Sequence, residues 1–111
     1  MNSNSSKPLI DIVITAHNME SCLGECLQSL AAQTFGDFCA LIVNDGSTDG
    51  TKSVAQAFAN TDDRFSVVST PGIGAGGARN KGIEEVNAPY FMVLDGDDVF
   101  HPTMLEKLFA A

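Results

Sequence analysis

FCALIVNDGSTDGT, Phe38 to Thr51, passes from strand to helix start without an intervening loop of any length. Phe38 to Val43 is apolar almost throughout, as in a strand covered on both faces. Asn44 to Thr51 is a dense set of turn and capping residues. A helix to about Ala59 follows, burying Val54, Ala55 and Phe58. A strand that turns straight into a helix is the unit from which parallel sheets are built.

The same pattern extends in both directions. Upstream, Leu9 to Thr15 reads LIDIVIT, a β-branched strand interrupted by Asp11 near its start, where solvent reaches. Asn18 offers a helix N-cap. Apolar residues at 19, 22, 23, 26, 27, 30 and 31 predict a helix ending near Thr34. Downstream, Arg64 to Ser69 is a third, less apolar strand. Thr70 to Gly77 is a glycine-rich loop, and a helix is predicted from about Ala78 to Val86. Pro89 to Leu94 is a fourth strand. Pro102 suits the first turn of a last helix carrying Met104, Leu105, Leu108 and Phe109.

The order is β-α-β-α-β-α-β-α with short connections. It predicts an α/β fold, a Rossmann-like parallel sheet with helices on both faces. Ligands of such sheets bind outside the carboxyl ends of the strands. Those ends carry Thr15 to Asn18, Asn44 to Ser47, Thr70 to Gly77 and Asp95 to Asp98.

Bulk properties narrow the function. The 111 residues, 44% hydrophobic, suit one globular domain. Met1 to Lys7 reads as a disordered tail ahead of a domain over 8–111. A formal charge of −8 disfavours a nucleic-acid partner. It admits an anionic ligand if a divalent cation bridges it to carboxylates. Three cysteines, Cys22, Cys26 and Cys39, make no disulfide framework and favour a reducing compartment. Cys22 and Cys26 share a helix face, either as a metal pair or as two small core residues. The start lacks a signal-peptide core, and no apolar run is long enough to span a membrane. A cytoplasmic location is expected.

Asp95, Asp97 and Asp98 follow the fourth strand. Carboxylates this close repel one another unless a cation intervenes. Mg²⁺ or Mn²⁺ takes such oxygen ligands, often together with substrate phosphates. A solvated acidic turn capping the last helix is the plainer alternative. Gly96 is expected to let the backbone turn sharply.

At the second rim loop, Asp45 could accept a ligand N–H. Ser47, Thr48 or Asp49 is expected to cap the following helix. Gly72, Gly74 and Gly77 match G-x-G-x-x-G, with Asp95 further on, as in a dinucleotide-binding fingerprint. That fingerprint belongs in the first strand–helix turn, whereas this one follows the third strand, after Thr70 and Pro71. Arg79, expected to open the next helix, opposes its macrodipole there. It is read as a fork for phosphate or a base edge, against a surface ion pair to Glu84 or Glu85.

Five stretches then resemble glycosyltransferase family 2, the inverting enzymes of GT-A fold: Val13 to Asn18, Cys26 to Phe35, Val43 to Thr51, Gly76 to Gly82 and Leu94 to Asp98. Their order and spacing hold from about Pro8 to Phe109, the N-terminal, nucleotide-sugar-binding portion of that fold. The resemblance implies that Asp97 contacts a metal, Mg²⁺ or Mn²⁺, in a D-x-D signature. Asp95 would help hold ribose or metal, and Asp45 would read the nucleobase, commonly uracil. Thr15 would begin the nucleotide pocket and Arg79 would lie near the nucleotide. It further implies a nucleotide-sugar donor, expected to be UDP-linked, and a saccharide or lipid-linked acceptor. Cell-envelope polysaccharide synthesis would be the setting, at the cytoplasmic face of the membrane for a full-length protein.

Two substitutions depart from the family pattern. His17 stands where the family usually has a tyrosine able to stack on the base. Asn44 replaces the first residue of an acidic pair, leaving Asp45 to read alone. The general base that an inverting transfer needs lies in the family well beyond the D-x-D motif. The chain is therefore read as truncated, with no catalytic residue of its own, binding nucleotide without turnover. Apolar surface bared by truncation could pair two copies as a homodimer. The competing readings are a non-catalytic module of the same fold and a dinucleotide-binding oxidoreductase domain.

Overall fold

The computed structural model describes residues 8–109, so the tail expected at 1–7 lies outside the described residues. Strands β1 (Ile10–Ala16), β2 (Phe38–Asp45), β3 (Phe65–Thr70) and β4 (Tyr90–Asp95) alternate with helices α1 (Leu23–Ala31), α2 (Thr51–Thr61), α3 (Gly74–Glu84) and α4 (Met104–Phe109). The strands form one sheet in the order β3-β2-β1-β4, and every pairing is parallel. This is the α/β architecture that the alternation predicts.

Successive strand side chains point to opposite faces, which gives the sheet two cores. Ile10, Ile12, Ile14 and Ala16 pack with Leu23, Leu27 and Leu30 of α1, Ala55 of α2 and Leu105 of α4. Val13 and Val43 face the other way, against Ala78 of α3. Helices thus cover both faces, with α3 the one helix on the second face among the described residues. Leu27 is fully buried, a setting in which truncation to alanine costs about 2–5 kcal/mol.

Helix boundaries depart from the sequence reading in two places. α1 starts at Leu23, not Met19, and Asn18 does not cap it. Asn18 adopts a left-handed φ of 50°, and its Oδ1 instead accepts the backbone N–H of Thr48 at 2.8 Å. Met19 to Cys22 form turns, with Leu23 N donating to Met19 O at 2.8 Å. α3 starts at Gly74, not Ala78, so three glycines of the expected loop lie in its first turn. Glycine is a poor helix former, and what stabilises this start comes from another strand, as described below.

β4 also differs. The topology leaves it at the sheet edge, and Tyr90 and Phe91 are 55% and 49% exposed. Despite its run of apolar residues, it is not a fully buried strand. α4 begins at Met104, two residues after Pro102, whose carbonyl accepts Thr34 N at 2.9 Å. Gln33 anchors this segment twice, donating to His101 O at 2.7 Å and accepting Leu105 N at 3.0 Å. Asp11 is used rather than merely tolerated: its Oδ2 accepts the N–H groups of Asn87 and Ala88 at 2.7 and 2.9 Å, fixing the approach to β4. No helix among the described residues is long and apolar enough to cross a membrane.

Candidate functional site

The carboxyl ends of β1, β2, β3 and β4 bring Thr15, Asp45, Thr70 and Asp95 to one rim. An open cavity of about 340 Å³ lies there, and Thr15, His17, Asp45, Gly74, Ala78 and Asp95 are among its walls. That volume is within the range of small-molecule pockets.

Thr15 and Asp95 are register partners. Thr15 Oγ1 donates to Asp95 Oδ1 at 3.2 Å, which aims the carboxylate over the rim. Asp95, Asp97 and Asp98 are all exposed, and one oxygen from each lies within 4.8 Å of the others. Such a set of hard oxygen donors fits a divalent cation such as Mg²⁺ or Mn²⁺. The acidic turn is docked on α1. A Cβ at Gly96 would come 2.9 Å from Leu23 Cδ1 and 3.0 Å from Met19 Sδ. Gly96 is thus required for close approach, and its φ is not in the left-handed region.

Cys26 lies beneath this turn, its Sγ 3.7 Å from the carbonyl of Asp95. Burial, with the charges of Asp98 and Asp97 next, pushes its thiol up to about 12. Cys26 is buried in the core cluster with Leu23, Leu27 and Leu30, and among the described residues the group able to hold a metal contains neither Cys22 nor Cys26, which favours the core reading of their spacing.

Asp45 is buried and heavily engaged. Oδ1 accepts Thr70 Oγ1–H at 2.7 Å and Ile73 N–H at 2.8 Å, and Oδ2 accepts Gly74 N–H at 2.8 Å. The Thr70 hydroxyl is the main reason that its carboxyl titrates below the usual range, and the backbone N–H groups add to it against the opposing pull of burial. Asp45 therefore caps α3 from the neighbouring strand, which stabilises a helix start made of glycine. An ionised carboxylate has about four acceptor positions, and these bonds take three of them.

His17 is exposed on the cavity wall and oriented by its neighbours. Its Nδ1 lies 2.6 Å from Asp45 O, which can only accept, so Nδ1 carries the proton. Nε2 faces Asn18 Nδ2 at 3.4 Å. The loops after β1 and β2 are laced further by Asn18 N to Ser47 Oγ at 3.0 Å, Met19 N to Thr51 Oγ1 at 2.7 Å and Gly50 N to Glu20 Oε1 at 2.9 Å. Of the three expected caps for α2, Asp49 takes that part, accepting Thr51 N at 2.9 Å.

Arg79 is the outlier. It sits in the second turn of α3 rather than at its opening, is exposed, and is not among the residues lining the cavity. The ion pair on this helix is Lys81 to Glu85 at 3.7 Å, and among the described residues Arg79 forms none. Sequence reasoning gave no bonding role to Thr70, Asp11 or Glu20. Only Thr70, a hydroxyl at the end of a strand on the binding rim, carried a signal that topology could have exposed.

Comparison with known proteins agrees with this geometry. The family model described as Glycosyl transferase family 2 matches residues 11–111. The uncharacterized glycosyltransferase EpsJ of Bacillus subtilis (strain 168) is 35% identical over 101 residues, covering 91% of this chain and 29% of its own. The chain thus spans less than a third of the length of that relative. Among solved structures, S. aureus TarS 1-349 in complex with UDP-GlcNAc superposes with a TM-score of 0.84 at 27% identity, over 95% of this chain and 30% of the other. The mannosyltransferase PcManGT from Pyrobaculum calidifontis, in complex with GDP-Man and Mn²⁺, gives a TM-score of 0.77 at 20% identity, over 86% and 29%. The latter likeness speaks to the fold alone.

Proposed function

The chain belongs to glycosyltransferase family 2, and on that premise we propose that it is the donor-binding part of an enzyme that transfers a sugar from a UDP-sugar, with inversion, to a saccharide or lipid-linked acceptor. The observation that carries the reading is the rim itself. A cavity walled by Thr15, His17, Asp45 and Asp95 adjoins a cluster of three exposed carboxylates. A nucleotide needs the first for its base and ribose, and a divalent cation on the second would meet its diphosphate.

In this reading Asp97 and Asp95 hold Mg²⁺ or Mn²⁺. Bound there, the cation supplies charge stabilisation to the departing diphosphate. Thr15 keeps Asp95 aimed at it. Asp45 offers its remaining acceptor position to the base, and His17, locked by the Asp45 carbonyl, presents a flat face beside it. Arg79, exposed on the second turn of α3 and not among the cavity's lining residues, would approach the phosphates from outside it. The resemblance to the TarS complex with UDP-GlcNAc supports a uridine nucleotide. Cell-envelope polysaccharide synthesis at the cytoplasmic membrane face fits the acceptor class.

The dinucleotide reading loses its physical basis. It needs the pyrophosphate on the N-terminus of the helix after the glycines. Here Asp45 already occupies the N–H groups of Ile73 and Gly74, and its negative charge would repel a phosphate.

Calorimetric titration of the chain with UDP tests the proposal. Binding should require Mn²⁺ and weaken at least tenfold in Asp97→Ala, a loss of about 1.4 kcal/mol. Equal affinity with and without metal would overturn the metal assignment. Preference for NADH over UDP would overturn the nucleotide assignment. Absence of any nucleotide binding would favour a non-catalytic module.

A further inference from the structure

The cavity is walled by the end of β1 with the loop after it, by Asp45 at the end of β2, by the loop after β3 with the start of α3, and by Asp95, and both loops are tied to residue 45. The loop after β1 is tied by His17 Nδ1–H to the carbonyl of Asp45. The loop after β3 is tied by Thr70 Oγ1–H, Ile73 N–H and Gly74 N–H to its carboxylate. The next residue, Gly46, has a φ of 64°, and a Cβ there would lie 2.7 Å from Gly72 Cα. The loops after β2 and β3 therefore touch backbone to backbone. Among the described residues, Thr70 Oγ1 makes the one side-chain hydrogen bond from residues 70–74, and Gly72 and Gly74 have no side chains to add.

We propose that Thr70 is a positioning residue of the cavity. Through the Asp45 carboxylate it holds the 71–74 loop and the start of α3 as a wall. The hydroxyl fixes Oδ1 from one side while Ile73 N–H fixes it from the other. Oδ2 accepts Gly74 N–H, and Asp45 is itself one of the residues lining the cavity. Without the hydroxyl, only the Ile73 and Gly74 N–H groups hold the carboxylate, and the α3 cap is weakened. The consequence for ligand affinity rests on the nucleotide-binding reading above. The consequence for the loop does not.

Thr70→Val and Thr70→Ser, compared with the unmodified chain, test this through amide hydrogen exchange and UDP affinity in Mn²⁺. Thr70→Val keeps the β-branched shape and removes the donor. It should accelerate exchange at Ile73 and Gly74 roughly tenfold, the loss of one hydrogen bond to a charged group. Amides in the centre of β1 and β2 should be unaffected. UDP affinity should fall several-fold, and Thr70→Ser should restore both properties. Unchanged exchange at Ile73 and Gly74 in Thr70→Val would overturn the proposal, as would acceleration spread evenly over the whole sheet. If the unmodified chain binds no UDP, the nucleotide reading fails, and the exchange data still decide whether Thr70 holds the loop.

Discussion

Thr15 Oγ1 donates a 3.2 Å hydrogen bond to Asp95 Oδ1, between residues directly opposite one another on β1 and β4. Their separation in sequence is large, and strand register alone joins them. The bond links the strand at the centre of the binding rim to the acidic cluster at its edge.

Thr15→Val should uncouple the two. The shape is kept and the donor is lost, so folding stability should change by only about 1 kcal/mol. Asp95 would lose its aim, and Mn²⁺-dependent UDP affinity should drop more than stability does. Urea unfolding alongside calorimetry checks this. A variant with full affinity would mean that Asp95 is oriented without Thr15.

Asp45 makes stability depend on pH. Its carboxyl titrates below the ordinary range in the folded chain, mainly through the Thr70 hydroxyl. A group depressed in this way contributes stability above its unfolded value of about 3.9, lost as pH falls through the folded value. Asp45→Asn should therefore flatten the acid limb of a stability–pH curve. It should also lower stability at pH 7 by about 1–3 kcal/mol, since an amide cannot accept all three donors. Asp49 and Asp62, similarly depressed by Thr51 and Arg64, keep part of the limb in place. An acid limb identical to that of the unmodified chain would count against the Asp45 bonds.

Gly46→Ala should be disruptive for two reasons that add. The residue has a φ of 64°, and a Cβ would press on the Gly72 backbone. A loss of about 1–3 kcal/mol is expected, read by thermal or urea unfolding. Gly76→Ala is the control: a Cβ there meets nothing within 4 Å, and it should be neutral or stabilising.

The strands were legible because β-branched apolar runs at Ile10–Ala16 and Phe38–Asp45 have no other use for their pattern. The gathering of Thr15, Asp45 and Asp95 followed from strand order. Helix starts were harder, since the decisive bonds come from far away. Asn18 is pulled to Thr48, and the cap of α3 is Asp45. The exposure of Tyr90 and Phe91 depended on which strand became the edge, which alternation does not specify. The bonding role of Thr70 escaped notice because its partner is a carboxylate on the neighbouring strand.

The most direct test of a metal-bridged nucleotide site is paramagnetic broadening. Mn²⁺ would be titrated into the ¹⁵N-labelled chain in the presence of UDP. The amide signals of Gly96, Asp97 and Asp98 should broaden first, followed by Thr15 and His17, and Asp97→Ala should abolish the effect. Broadening centred elsewhere, or none at Mn²⁺ concentrations that support UDP binding, would contradict the account.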